Sequence, residues 1–360
     1  VSDKQKLLLQ ASRGVAACFV LLFHMASMSY KYFHYNLFGL NGLARSGGVD
    51  YFFVLTGFLI YSIYGKRIGT RQKVGKYLTN RFIRIYPLYW LVTLLVLPVY
   101  FLVPSFGLGF ETQKDAIIKS LLLIPQSHGP ILGVAWSLSY FVLFYGIFAL
   151  LMRMDRKPAY LLLSIWGALT LCNVLHVPVI GPDISRHFYL NFLFGETNLE
   201  LAVGCVIAHW AMSHRMNNGA WWLGVGMLGF PAIWLSTKYN WMPYHDFLLY
   251  AVPSSMVLIG LLSVHVSSMV PRWLAGLCRL GDASYTILLT HLLSISVLLK
   301  LSKVLAIQKH MSFLSIDLTI IILTLLICVL IYRTVERPLV SGLRKLLLPN
   351  PHVVRKTQNI

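Results

Sequence analysis

The chain is predicted to be an all-α polytopic integral membrane protein with about ten transmembrane helices and both termini cytoplasmic. Three observations predict it. Of 360 residues, 57% are hydrophobic and only 12% are charged, with a mean hydropathy of +0.68, a charge content far below that of an ordinary soluble domain. The apolar residues gather into runs of bilayer-spanning length. The basic residues fall between those runs with a strong sidedness.

Ten spans are expected: 14–30, 46–65, 85–103, 134–152, 159–178, 188–211, 220–237, 247–266, 283–301 and 314–332. The sixth is the weakest, because Asn191, Glu196, Thr197, Asn198 and Glu200 interrupt it. An even count puts both termini on one side. With the loops assigned alternately, 22 of the 31 Lys and Arg residues fall on the side of the termini and 9 on the other, counting Lys300 at the outer end of the ninth span. That asymmetry places the termini in the cytoplasm and supports the span count. The first apolar run lacks a small-residue cleavage site, so it reads as a span and not as a cleaved signal.

The formal charge of +19 is accounted for by this sidedness. No basic-aromatic module accompanies it, so nucleic acid is excluded as a partner. Five cysteines, Cys18, Cys172, Cys205, Cys278 and Cys328, lie in or beside apolar runs without CxxC spacing. Free thiols are expected, with no disulfide and no metal. The loop 104–133, rich in Pro and Gly around the apolar stretch Ala116 to Leu123, is read as an interfacial helix or a lid. Residues 1–347 are taken as one transmembrane domain and 348–360 as a basic cytoplasmic tail.

Arg13 and His24 stand eleven residues apart at the head of the first span. A helical rise of about 1.5 Å per residue carries the imidazole roughly 16 Å inward of the guanidinium, near the mid-plane. Ionisable side chains there are expensive and tend to mark function. A snorkelling Arg and a histidine bonded to a neighbouring helix explain the pair equally well when it is taken alone. Asp50 and Glu200 are intramembrane or boundary carboxylates and stand as partners for Arg13 or His24. Tyr86, Tyr89 and Trp90 read as an interfacial aromatic belt.

Several segments, in order along the chain, carry a resemblance to a known family. LQASRGVAACFVLLFH (9–24) resembles the opening signature of the membrane-bound acyltransferase family 3, whose Arg and His fall on Arg13 and His24. GVDYFFVLTGFLIY (48–61) is similar to its second-helix motif, with Thr56 where Ser is common. RFIRIYPLYWL (81–91) matches its Arg-x-x-Arg motif at Arg81 and Arg84. GDASYTILLTH (281–291) resembles its late segment at Ser284, Tyr285 and His291, and VERPL (335–339) its terminal Glu-x-Pro at Glu336 and Pro338. The opening motif and the RIYPLYW segment are most similar to the exopolysaccharide-modifying branch. WSLSYFVLFY (136–145), beginning at Trp136, departs from the family: Phe141 stands where Glu is frequent.

The resemblance implies transfer of an acyl group, acetyl by expectation, from acyl-CoA to a hydroxyl of a carbohydrate such as an exopolysaccharide or its lipid-linked precursor. It implies an inner-membrane, multi-pass enzyme whose partners are acyl-CoA, a carbohydrate acceptor and the bilayer. The residue chemistry fits. Arg13, Arg81 and Arg84 are expected at the cytoplasmic face, where guanidinium forks match the phosphates of coenzyme A. His24 is the expected general base, drawing the proton from the acceptor hydroxyl; a transient acyl carrier on the same imidazole remains open. Glu336, between Arg333 and Arg337, is alternatively a tie that holds the cytoplasmic face together. A secondary transporter is the competing class, since ten spans with a few buried polar groups also describe a carrier.

Overall fold

The computed structural model describes residues 3–348, apart from 44, 72, 176, 178–186, 215–216, 240, 242–245 and 265–271. From 349 onward the expected basic tail lies outside the described residues. The described chain is helical, with one isolated bridge between Thr70 and Asp155. In order, the helices are α1 (Asp3–Phe33), α2 (Gly48–Tyr64), α3 (Gly75–Leu102), α4 (Lys114–Leu122), α5 (Trp136–Arg153), α6 (Arg156–Val174) and α7 (Phe188–Leu193). They continue as α8 (Thr197–Ser213), α9 (Gly219–Lys238), α10 (Asp246–Ser263), α11 (Arg272–Asp282), α12 (Ser284–Val304), α13 (Phe313–Ile331) and α14 (Arg337–Leu347).

Among the described residues each expected span falls on one helix, or in the case of the sixth on two. Among the described residues, eight helical stretches are long and apolar enough to cross a membrane: α1, α2, α3, α5, α7 with α8, α9, α12, and α13 with α14. This is a membrane protein. The stretches in α6 and α10 fall short of that measure, the apolar part of α10 being Leu249–Ser263. The interrupted sixth span is two helices, α7 and α8, broken at Phe194–Glu196, so that Glu200 sits in the first turn of a new helix.

The chain forms two compact units. The first comprises Val1–Lys66 and Glu196–Val329, the second Arg67–Gly195 and Leu330–Ile360. In the first unit, small residues let backbones meet, as they do where lipid supplies no hydrophobic drive between helices. A Cβ at Gly57 of α2 would collide with the Leu201 carbonyl of α8, and one at Gly204 of α8 with the Val54 carbonyl of α2. Gly14 and Gly281 do the same for α1 and α11, facing Leu277 O and Gln10 O. The motif glycines at 14, 57 and 281 thus serve helix contact.

In the second unit, the aromatic run of α3 caps α4. Tyr89 OH donates to Ser120 O at 2.6 Å, Trp90 Nε1 to Leu121 O at 2.7 Å and Tyr86 OH to Leu122 O at 3.2 Å. These carbonyls end α4, where a helix runs out of its own donors; Ser120 O also accepts from Leu123 N at 2.9 Å. The run read as an interfacial belt is therefore a set of donors to the helix foreseen within 104–133. Arg71 bonds to Asp155 in the connector ahead of α6 and holds that carboxyl below its ordinary range by the hydrogen bond, which opposes a small burial effect.

Candidate active site

In the first unit a polar track follows α1. Ser12 Oγ and Tyr51 OH of α2 lie 2.6 Å apart. Gln10 Nε2 donates to Asp282 Oδ1 at 2.6 Å, and its Oε1 accepts from Arg13 Nη1 at 3.2 Å. Arg13 Nη2 donates to Ser284 Oγ at 3.0 Å. The opening motif and the late Ser-Tyr segment, far apart in sequence, therefore meet at the guanidinium. The close approach at Gly14 and Gly281 makes this reach possible, because it brings the end of α11 and the start of α12 against α1.

Eleven residues further along α1, His24 is half-buried and His291 of α12 is fully buried. Their ring centres are 5.0 Å apart, with planes inclined by 41°. Phe23 meets His24 edge-on at 5.0 Å. His291 Nδ1 lies 2.8 Å from Ile287 O. A carbonyl oxygen only accepts, so Nδ1 carries the proton and Nε2 of the neutral ring presents a lone pair. Tyr285 is buried beside Ser284 at the start of α12, and Thr56 is half-buried in mid-α2.

Asp50 does not pair with Arg13 or His24. It accepts from Arg45 Nη1 at 3.3 Å, five residues earlier in the connector before α2, and interacts with Glu200 across the α2–α8 contact. Glu200 is 0% exposed. The connector is clamped by α9 and α10: Trp234 Nε1 donates to Ser46 O at 3.2 Å and Tyr250 OH to Arg45 O at 3.1 Å, while Gly47, at φ 78°, packs where a side chain would strike Phe230 and Tyr250. Arg45 thus reaches Asp50 first, and Arg13 is already engaged by Gln10 and Ser284.

The remaining expected residues lie in the second unit. Arg84 Nη1 donates to Glu336 Oε1 at 2.6 Å, with the Glu336 side chain 1% exposed. Glu336 ends a π-helical turn, Tyr332–Glu336, that separates α13 from α14; such turns recur at functional positions. Arg81 stands over the rings of Tyr77 and Tyr145, at 5.9 and 5.6 Å from their centres. Phe141 stacks on Tyr145 at 6.5 Å, so aromatic packing occupies the place where a carboxylate is frequent. Trp136 opens α5, half-exposed, with its ring edge-on to Tyr140 at 6.2 Å.

Among the described residues no three His, Cys, Asp or Glu side chains cluster to hold a metal ion, and the five cysteines are free thiols. Sequence reading missed Gln10, Tyr51 and Arg45, and the helix α11. The last carried a signal: Leu274, Leu277, Cys278 and Gly281 recur at helical spacing and form the face set against α1. It also missed Asp317 of α13, fully buried and facing Ser29 of α1.

A helical membrane protein that buries an imidazole pair between two of its membrane-length helices, with arginines fixed by motif partners, has the makings of a membrane-embedded transferase. The chain belongs to the acyltransferase domain family 3, which matches residues 8–333. Family membership favours the enzyme reading over the carrier. The chain is 29% identical over 304 residues to the exopolysaccharide production protein ExoZ of Rhizobium meliloti (strain 1021), covering 78% of this chain and 83% of that protein. It is 32% identical over 134 residues to protein 2 in the picA locus of Rhizobium radiobacter, covering 33% of this chain and 64% of that protein. No solved structure matches it.

Proposed function

We propose that this protein transfers an acyl group, acetyl in the first instance, from cytoplasmic acyl-CoA to a hydroxyl of an exopolysaccharide or its lipid-linked precursor. The observation that carries the reading is the imidazole pair His24 and His291 set between α1 and α12, in a chain of an acyltransferase family. Similarity to an exopolysaccharide production protein supports the acceptor class.

His24 is the general base. It takes the proton of the acceptor hydroxyl as the oxygen attacks the thioester carbonyl; the C–S bond breaks and the proton passes to the leaving thiolate. Ester and free coenzyme A are formed with no net proton gained or lost. Arg13, Arg81 and Arg84 bind the phosphates of the donor, for which guanidinium groups are suited. Ser284 and Glu336 orient Arg13 and Arg84 for that task. No metal is required by this chemistry. The reading includes ten spans, cytoplasmic termini, a single transmembrane domain over 1–347 and residence in the inner membrane, for which the 22-to-9 sidedness of basic residues is the support.

The test is mass spectrometry of the surface glycan from cells with and without the protein, together with release of free thiol from acetyl-CoA by purified protein supplied with that glycan. Acyl substituents that persist unchanged in cells lacking the protein would refute the reading.

A further inference from the structure

The mechanism above leaves His291 without a task, although it is the more completely buried of the two imidazoles, at 0% exposure. Its Nδ1 proton is committed to Ile287 O at 2.8 Å. Among the described residues its Nε2 is buried and has no hydrogen-bond partner. A buried lone pair without a donor is costly, and such an atom in a native interior calls for an explanation. The hydroxyls near it on α12 spend their protons on the backbone: Thr290 Oγ1 donates to Thr286 O at 2.8 Å and Ser294 Oγ to Thr290 O at 3.2 Å. On α13 the polar atom facing this turn, Cys328 Sγ, sits 3.3 Å from Thr290 Oγ1. The donor-bearing ring set against His291 is His24, with centres 5.0 Å apart.

We propose that His291 is the positioning residue of the acyl-transfer site: its Nε2, unpaired in this structure but set against the His24 ring, accepts the N–H of His24 in the working enzyme and holds that ring in the tautomer whose other nitrogen is free to take a proton. The inference rests on His24 being the base. Neutral imidazole has one N–H, and the nitrogen that carries it is set by the hydrogen bond it makes. Ile287 O fixes the tautomer of His291, and His291 fixes that of His24, so a backbone carbonyl orients the base through two rings. When His24 becomes imidazolium, the bond to Nε2 turns charge-assisted and strengthens. The support is therefore greatest in the state that follows proton abstraction. No proton leaves the pair, because the one His24 takes is returned to the thiolate of coenzyme A. His291 does not touch the substrate in this scheme, which its complete burial requires.

The test uses the full-length protein in detergent, radiolabelled acetyl-CoA, and as acceptor the exopolysaccharide isolated from cells that lack the protein. Loss of a partner that orients an active group typically costs about 10- to 100-fold. His291→Ala is expected to lower kcat by that amount, with KM for acetyl-CoA changed less than about threefold on the same grounds. His291→Gln, whose Oε1 falls near the position of Nε2, is expected to recover most of kcat; His291→Asn, whose acceptor falls near Nδ1, is not. In a His24→Ala background, adding His291→Ala is expected to change nothing further, since positioning acts only through His24. A kcat for His291→Ala close to wild type, equal rates for the Gln and Asn variants, or a further loss in the double variant would each overturn the proposal. If His291→Ala fails to fold, judged by its affinity for coenzyme A, the Gln and Asn comparison decides alone. Near-normal turnover by His24→Ala instead refutes the base assignment and is read separately.

Discussion

Arg84 and Glu336, 252 residues apart in the chain, are joined by a 2.6 Å hydrogen bond with the carboxylate almost wholly buried. The bond ties the Arg-x-x-Arg segment of α3 to the π turn that precedes α14. Two motifs that sequence presents as separate are one structural unit.

Removing either side of this pair takes away a charge-assisted hydrogen bond, which costs about 1.5–3 kcal/mol. Arg84→Ala and Glu336→Ala are each expected to lower the thermal midpoint of the detergent-solubilised protein. The reversal Arg84→Glu with Glu336→Arg is expected to regain stability without regaining acetyl-CoA affinity, since the cation has moved. Full recovery of affinity in the reversed pair would assign Arg84 to structure alone.

The proposed function gives Arg13, Arg81 and Arg84 to binding of the donor. A charge-assisted contact is worth about 1.5–3 kcal/mol, so loss of one guanidinium is expected to raise the dissociation constant of acetyl-CoA roughly ten- to a hundredfold. Titration calorimetry of Arg13→Ala and Arg81→Ala reads this directly. Lysine is expected to restore only part, because it lacks the planar fork. Unchanged affinity in the double Ala variant would return both residues to packing and topology.

Arg45 and Asp50 form an ion pair in the first unit, with Glu200 behind it. Arg45→Ala removes the cation and leaves Asp50 and Glu200 facing each other. Thermal stability is expected to fall by about 1–3 kcal/mol, given the partial exposure of the arginine. Adding Asp50→Asn is expected to restore part of it, since the unpaired charge is then gone. If the second substitution makes the loss worse, Asp50 has a partner beyond Arg45 that carries more of the energy.

Gly57 and Gly204 set the α2–α8 approach. Alanine at either position would drive its Cβ into backbone carbonyls that have nowhere to move, and overpacking of this kind costs about 1–3 kcal/mol or more. Gly167→Ala in α6 meets nothing within 4 Å and serves as the control, expected to be neutral or mildly stabilising. Equal behaviour of all three variants in a thermal-shift assay would contradict the packing described.

The helices were legible because bilayer-spanning hydrophobicity is a strong local signal: all ten apolar runs became helices, and the polar interruption at Asn191 to Glu200 marked a real break. The helix α11 was not foreseen, because its apolar residues are spread along one face and never form a run. Arg13 and Ser284 were both legible as motif residues, but their contact was not, since it depends on how closely α1 and α11 approach. The partner of Asp50 escaped for a related reason: Arg45 belongs to a connector whose position is set by Trp234 and Tyr250 on other helices.

The central claim is that His24 is the general base of acyl transfer, and turnover by His24→Ala and His24→Asn tests it most directly. Both variants are expected to bind acetyl-CoA as the wild type does. Loss of a general base costs about 10²- to 10⁴-fold, and each is expected to transfer acetyl groups to the exopolysaccharide slower by that factor. Asparagine keeps a polar group in the site but cannot cycle a proton, so it separates chemistry from packing. Transfer at a near-normal rate by either variant would contradict the account.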